Sequence, residues 1–309
     1  MSDIEPFEFF TWKSPRILLD IRPIPLYLKG SIKHAISFSL IESNIIRLKR
    51  FVDKLKESKK DYPVHLIDQK GLVAEEISHE ISGYYLKGGY AGFREWRKNA
   101  FNEESKLFVI GGYTGSGKTK FLQYLKSIDH QVIDLETLAS HKGSAFGSNP
   151  KQKQPTHESF QNELLSLWLS FDLKYPIWIE EKGPFLGKAG IPEELQSKMK
   201  NALLIHLEAP FDKRLDTILK DYDHLRGNEL RSAIQLLEDR MGMSQNHQAL
   251  HFHDTGERRK CFELLLKYYD HAYEQRRQEN WKNSIVAIPY HNEDYRTVYN
   301  KMLKLIKIF

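Results

Sequence analysis

The sequence predicts an α/β fold in two domains, the second a doubly wound parallel sheet with a helical C-terminal region. Three observations carry this. Short apolar runs alternate with helical patterns along the chain, the signature of parallel strands joined by crossover helices. A glycine-rich stretch, Gly112-Tyr113-Thr114-Gly115-Ser116-Gly117-Lys118-Thr119, follows one such run and leads straight into a helical pattern. At 309 residues the chain exceeds one average domain and is comfortable for two, each able to bury a core.

The first domain, residues 1–100, opens with an apolar strand at 17–22 and a second short strand at 36–38 after a polar turn. A charged helix-like stretch over 46–59 precedes a strand at 64–67, and a helix over 73–81 and a strand at 84–86 follow. The charged segment from Arg97 to Lys106 marks the boundary. The second domain, residues 101–309, offers strands at 107–110, 131–133, 177–179, 203–207 and 285–288. Helical patterns over 158–171, 211–221, 229–241 and 257–281 separate them. Ligands of a doubly wound sheet bind at the carboxyl ends of its strands, so the residues following these strands are the candidates.

Composition sets limits. With 40% hydrophobic and 28% charged residues, the chain is ordinary for a protein in water, and no apolar stretch approaches the roughly 20 residues that span a bilayer. The N-terminal residues carry no basic segment followed by an apolar core, so a cytoplasmic location is expected, without a membrane partner. Cys261 is the only cysteine, which rules out a disulfide framework and a cysteine zinc site within one chain. A net charge of +5 is compatible with a polyanionic partner, but taken alone fits a solvated basic surface equally well.

The stretch from Gly112 to Thr119 is a complete phosphate-binding loop of the P-loop NTPase kind. Its glycines let several backbone N–H groups point at one anion, Lys118 adds a positive charge, and the Thr119 hydroxyl can hold Mg²⁺. Behind it a helix N-terminus contributes partial positive charge. Asp134-Leu135-Glu136 follows the second strand of this domain and Glu180-Glu181 the third, placing carboxylates where a metal or an attacking group could be positioned. Asp134 and Thr119 are the candidate metal ligands, and Lys118, Glu180 and Glu181 the candidate catalytic residues. His141, Lys142 and Ser144, in a loop with two glycines, can contact a phosphate or a base edge, and Gln154 and Lys188 are further substrate candidates.

Together with the loop, Asp134-Leu135-Glu136, the run from His141 to Gly147, Gln154-Pro155-Thr156 and Pro176-Ile177-Trp178-Ile179-Glu180 resemble the bacterial tRNA 2-selenouridine synthase family. In that family a rhodanese-like domain precedes the P-loop domain. Asp20, Arg22, Gly30 and Ala35 resemble a rhodanese start, and Lys87-Gly88-Gly89-Tyr90-Ala91-Gly92-Phe93-Arg94 its end. The resemblance implies a tRNA partner rather than DNA, and action on wobble 2-thiouridine. It implies attachment of a geranyl group from geranyl diphosphate, then exchange for selenium from selenophosphate. ATP or GTP could occupy the same cradle, which holds any polyphosphate.

Two departures qualify the resemblance. A rhodanese carries its chalcogen on a cysteine in the loop after the central strand, and here that position falls near Asp68. Cys261 lies in a helical pattern that reads as half-buried packing. The first domain is therefore expected to be silent in sulfur and selenium transfer. After the third strand of the second domain the family's acidic, serine and arginine residues give way to Lys182-Gly183-Pro184. The expected activity is at most the geranyl-transfer half reaction. A small-molecule kinase or NTPase, and a non-catalytic tRNA-binding relative, are the alternatives. Arg226, Arg231, Arg240, Arg258, Arg259, Arg276 and Arg277 could line a tRNA path or simply face water, while Tyr268, Tyr269, Tyr273 and Trp281 read as helix packing.

Overall fold

Both sheets are built from apolar runs too short for helices and flanked by amphipathic segments. A computed structural model describes residues 3–41, 43–141, 153–223, 227–280, 285–290 and 294–306. Lys142, Ser144, Arg226 and Trp281 lie outside the described residues. The N-terminal elements are β1 (Asp3–Ile4), α1 (Pro6–Thr11), β2 (Ile17–Asp20), α2 (Ile24–Lys29), β3 (Ile36–Ser37), α3 (Ile45–Ser58), β4 (Val64–Ile67), α4 (Leu72–Ile81), β5 (Tyr84–Leu86) and α5 (Gly89–Ala100). Then come β6 (Leu107–Gly111), α6 (Lys118–Ser127), β7 (Gln131–Ile133), α7 (Leu135–Ala139), α8 (His157–Leu169), β8 (Ile177–Glu180), β9 (Phe185–Leu186) and β10 (Ala189–Gly190). The remainder is α9 (Glu193–Asn201), β11 (Leu203–Glu208), α10 (Phe211–Asp221), α11 (Asn228–Gln235), α12 (Glu238–Met241), α13 (Met243–Asp254), α14 (Arg258–Asn280), β12 (Ile285–Pro289) and α15 (Tyr295–Ile306).

The chain divides into two compact units. The first holds residues 1–104 together with 154–172 and 188–195, and the second holds the rest. In the first unit the sheet order is β1-β5-β4-β2-β3, with every pair parallel. Leu19, Leu66, Leu48 and Val52 form the middle of its core. Near its start, Asp20, Arg22 and Gly30 form a clasp. Arg22 donates to both Asp20 carboxylate oxygens at 2.9 and 2.6 Å and to the Gly30 carbonyl at 2.8 Å, and its guanidinium lies over the Tyr90 ring.

Residues 154–172 sit with the first unit although the sequence places them past the boundary at 101. The reason is polar. Buried Arg97 on α5 donates to Gln161 at 2.8 Å, to Glu158 at 3.2 Å and to Asn162, all on α8, while the Tyr90 hydroxyl donates to Glu158 at 3.1 Å. A helix that buries a carboxylate and an amide needs those partners and stays with them.

In the second unit the order is β12-β11-β6-β8-β7, all parallel. Strand β6 is central, and Phe108, Phe121, Trp178 and Ile205 pack around it. A second cluster, with Leu215, Ile234, Cys261 and Leu265, joins α10 to α14. The predicted helix over 229–241 is broken into α11 and α12. Strands β1, β9 and β10 and helices α1, α5, α7, α9, α13 and α15 add to the elements read from sequence. Helix α13 buries only Asn246 and Ala249, so it carries almost no apolar stripe to read. Among the described residues no helix is long and apolar enough to cross a membrane.

Candidate functional site

The loop between β6 and α6 lies at the carboxyl end of the central strand of the second unit. Gly115 has φ +81°, and a Cβ there would stand 2.7 Å from the Arg214 carbonyl, so both conformation and space demand glycine. Gly117 caps α6 with φ +87° and no side-chain cap, leaving the first N–H groups of the helix directed at the loop. The half-buried Lys118 folds its ammonium onto the Gly112 and Tyr113 carbonyls at 2.5 and 3.1 Å. Burial, reinforced by Lys182, brings its pKa down to about 8. Ser116 is buried, and its hydroxyl has no hydrogen-bond partner among the described residues.

Two helices hold the loop from behind. Arg214 on α10 donates to the Thr114 carbonyl at 3.1 Å and forks onto Asp270 of α14 at 2.8 and 2.7 Å. On α14 the Tyr273 hydroxyl accepts the Gly112 N–H at 3.0 Å and donates to Glu181. His206 Nδ1 lies 3.1 Å from that hydroxyl. Since the phenol gives its one proton to Glu181, it accepts from His206, which fixes the Nδ1–H tautomer. Burial first, then Arg277, holds His206 neutral with a pKa of about 4. Tyr113 donates to Glu274 at 3.0 Å, and Glu274 is paired with Arg277.

The strand end beside the loop carries the acidic pair. Ile110 of β6 pairs with Glu180 of β8, and the Glu181 N–H donates to the Ile110 carbonyl at 2.9 Å. Glu180 is fully buried, and its Oε1 accepts the Glu136 N–H at 2.9 Å. The Lys182 ammonium pairs with the Glu136 carboxylate and lies 3.5 Å from Glu180 Oε2. Burial raises Glu180 above the usual carboxylate range, against the pull of Lys182. Burial alone would lower Lys182, but Glu180 and Glu136 outweigh it and keep the ammonium charged. Burial also raises Glu181, opposed by the Tyr273 hydrogen bond and by Lys118.

The loop opens into a cavity of about 620 Å³. Lys118, Lys120, Lys182, Lys200, Lys213 and Arg276 line it, against the carboxylates of Glu136, Glu181 and Asp221. Thr119 lines it too, and so do the apolar side chains of Phe185, Met199 and Ile218. The Asp134 carboxylate expected to help Thr119 hold Mg²⁺ is otherwise engaged. Asp134 caps α7, accepting the Thr137 N–H at 2.9 Å and hydroxyl at 2.8 Å. Glu180 Oε1 is engaged by the Glu136 N–H, while Oε2, 3.5 Å from the Lys182 ammonium, makes no hydrogen bond among the described residues. Among the described residues no group of three or more His, Cys, Asp or Glu is placed to hold a metal ion.

Of the other predicted site residues, His141 follows α7, its N–H bonded to the Glu136 carbonyl at 3.1 Å. Burial lowers its pKa, with Glu136 and Lys182 as charged neighbours. Gln154 and Lys188 both belong to the first unit, where the Gln154 side chain accepts the Lys188 N–H at 3.3 Å. Among the arginines, Arg231, Arg259 and Arg277 form ion pairs with Asp254, Asp216 and Glu274, while Arg276 lines the cavity. Sequence reasoning missed Arg214, Asp270 and the polar role of Tyr273, since an arginine or tyrosine on an amphipathic helix gives the same signal whether it packs or holds a loop.

In the first unit, Asp68 occupies a backbone cradle. Its carboxylate accepts the N–H groups of Gly71, of Val73 at 2.9 Å and of Ala74 at 3.2 Å at the start of α4. Cys261 is fully buried on α14, and burial pushes its thiol up to about 11, so it carries no reactive thiolate.

Residues 105–253 match the family described as the tRNA 2-selenouridine synthase AAA domain. The chain is similar to the tRNA 2-selenouridine synthase of Shewanella sp. strain ANA-3, at 29% identity over 237 residues, covering 66% of this chain and 64% of that protein. It is 34% identical over 143 residues to the same enzyme of Shewanella frigidimarina, covering 45% and 38%. The enzyme of Nitrosomonas europaea is 34% identical over 148 residues, covering 46% and 38%. These matches span less than two thirds of the relatives' own lengths. Over residues 105–253 the chain is similar to the tRNA 2-selenouridine synthase family.

Proposed function

We propose that the protein modifies the wobble 2-thiouridine of tRNA and carries at most the geranyl-transfer half of that chemistry, with the diphosphate donor held at Gly112–Thr119. One observation carries this reading: a single cavity is lined both by the glycine loop with Lys118 and by Phe185, Met199 and Ile218. An allylic diphosphate has those two parts, a charged head and an apolar chain. As the thiocarbonyl sulfur attacks, a C–S bond forms and the C–O bond to diphosphate breaks. The loop N–H groups and Lys118 then stabilise the negative charge growing on the leaving group. Excess basic lining suits the tRNA phosphates that must come close.

The selenium-exchange step lacks a carrier in this reading. Asp68 fills the cradle that a rhodanese-like first unit would use for a chalcogen-bearing cysteine, and Cys261 is buried. Thermal-shift titration with geranyl diphosphate, ATP and GTP, with and without tRNA, tests the ligand, because a ligand of the folded state raises apparent stability by mass action. Geranyl diphosphate is expected to raise the Tm of the wild type and not of Lys118→Ala. Rapid turnover of ATP or GTP without tRNA would instead make the protein a phosphotransferase.

A further inference from the structure

Lys182 stands directly after two acidic residues at the end of β8. Its ammonium joins the Glu136 carboxylate on α7 to Glu180 on β8, with Oε2 of Glu180 at 3.5 Å. The other oxygen of Glu180 is taken by the Glu136 N–H, and Asp134 is taken by its own helix cap. A fully buried carboxylate, Glu180, and a half-buried one, Glu136, facing one cation make the charge arrangement a divalent metal would otherwise make. Lys182, Lys118 and Glu136 line the same cavity, so this ammonium and one of the carboxylates it pairs with share the space open to an anion on the loop.

We propose that Lys182 is the built-in cation of this site: it closes Glu136 and Glu180 to divalent metal and screens them from a diphosphate on the loop, which therefore binds without a metal bridge to the strand end. The anion part of the proposal rests on the phosphate-binding reading of Gly112–Thr119. A Lys182→Met side chain keeps the length and removes the charge, leaving the Glu136 carboxylate uncompensated beside the anion while Glu180, already raised by burial, takes up a proton.

The test has two arms. In the first, inorganic pyrophosphate is titrated calorimetrically into the full chain in EDTA and in Mg²⁺. The wild type is expected to bind within about threefold in the two buffers, and Lys182→Met to lose about tenfold or more in EDTA through carboxylate repulsion. In the second, Mn²⁺ is titrated without any anion and read by electron paramagnetic resonance. The wild type should take up no Mn²⁺ that Glu180→Gln removes, whereas Lys182→Met should gain a site that Glu180→Gln then abolishes. Wild-type pyrophosphate binding that needs Mg²⁺, or wild-type Mn²⁺ uptake lost in Glu180→Gln, overturns the proposal. Pyrophosphate ignored by the wild type in both buffers sinks the phosphate-binding reading instead, and the Mn²⁺ arm still decides the role of Lys182. If Lys182→Met does not fold, the two wild-type measurements decide alone.

Discussion

Lys118 is the residue on which anion binding turns, and its environment sets the pH at which binding weakens. Burial and the neighbouring Lys182 hold its pKa at about 8. Below that value the ammonium is already formed and an anion binds without proton exchange. Above it, binding must take up a proton, so affinity falls by up to about tenfold per pH unit until the pKa of the complex is reached. Calorimetric titration of geranyl diphosphate in two buffers of different ionisation enthalpy should therefore show proton uptake at pH 9 and almost none at pH 7. An affinity flat from pH 7 to pH 9.5 would contradict this. A single residue likewise shapes the first unit: with its carboxylate accepting three backbone N–H groups, Asp68 caps the start of α4.

At the scale of elements, the glycine loop is held in place by α14 and α10. Tyr273 accepts the Gly112 N–H and the His206 Nδ1–H and donates to Glu181, so Tyr273→Phe removes all three bonds and leaves two buried donors and a half-buried carboxylate short of partners. The expected cost is about 1–3 kcal/mol in urea denaturation, together with weaker pyrophosphate binding. Unchanged stability and affinity would show that α14 is only packed near the loop. Such roles were hidden in the sequence for a physical reason. The five strands of the second unit were legible because buried parallel strands are continuous apolar runs, as in Leu107-Phe108-Val109-Ile110. The loop was legible because its glycines and lysine are contiguous. Helix α8 was legible as a helix but not in its allegiance, since that depends on Arg97 meeting Glu158 and Asn162 more than sixty positions along the chain. The clamp of Lys182 on Glu136 was equally out of reach: it joins α7 to β8 across 46 positions.

At the scale of the whole molecule, each unit has its own parallel sheet and core, and the chemistry proposed lies in the second. Its cavity supplies a cradle for a diphosphate, fixed cations, and apolar surface for the chain such a donor carries. The first unit has the clasp of Asp20, Arg22 and Gly30 and a loop cradle filled by Asp68, with no thiol to carry a chalcogen. Together these features predict alkyl transfer uncoupled from selenium exchange. The most direct test is mass spectrometry of nucleosides from 2-thiouridine tRNA incubated with the protein, geranyl diphosphate and selenophosphate. The expected product is geranylated 2-thiouridine, formed by the wild type and not by Lys118→Ala, with no 2-selenouridine. Formation of 2-selenouridine, by the wild type or by Cys261→Ala, or the absence of any geranylated nucleoside, would contradict the account.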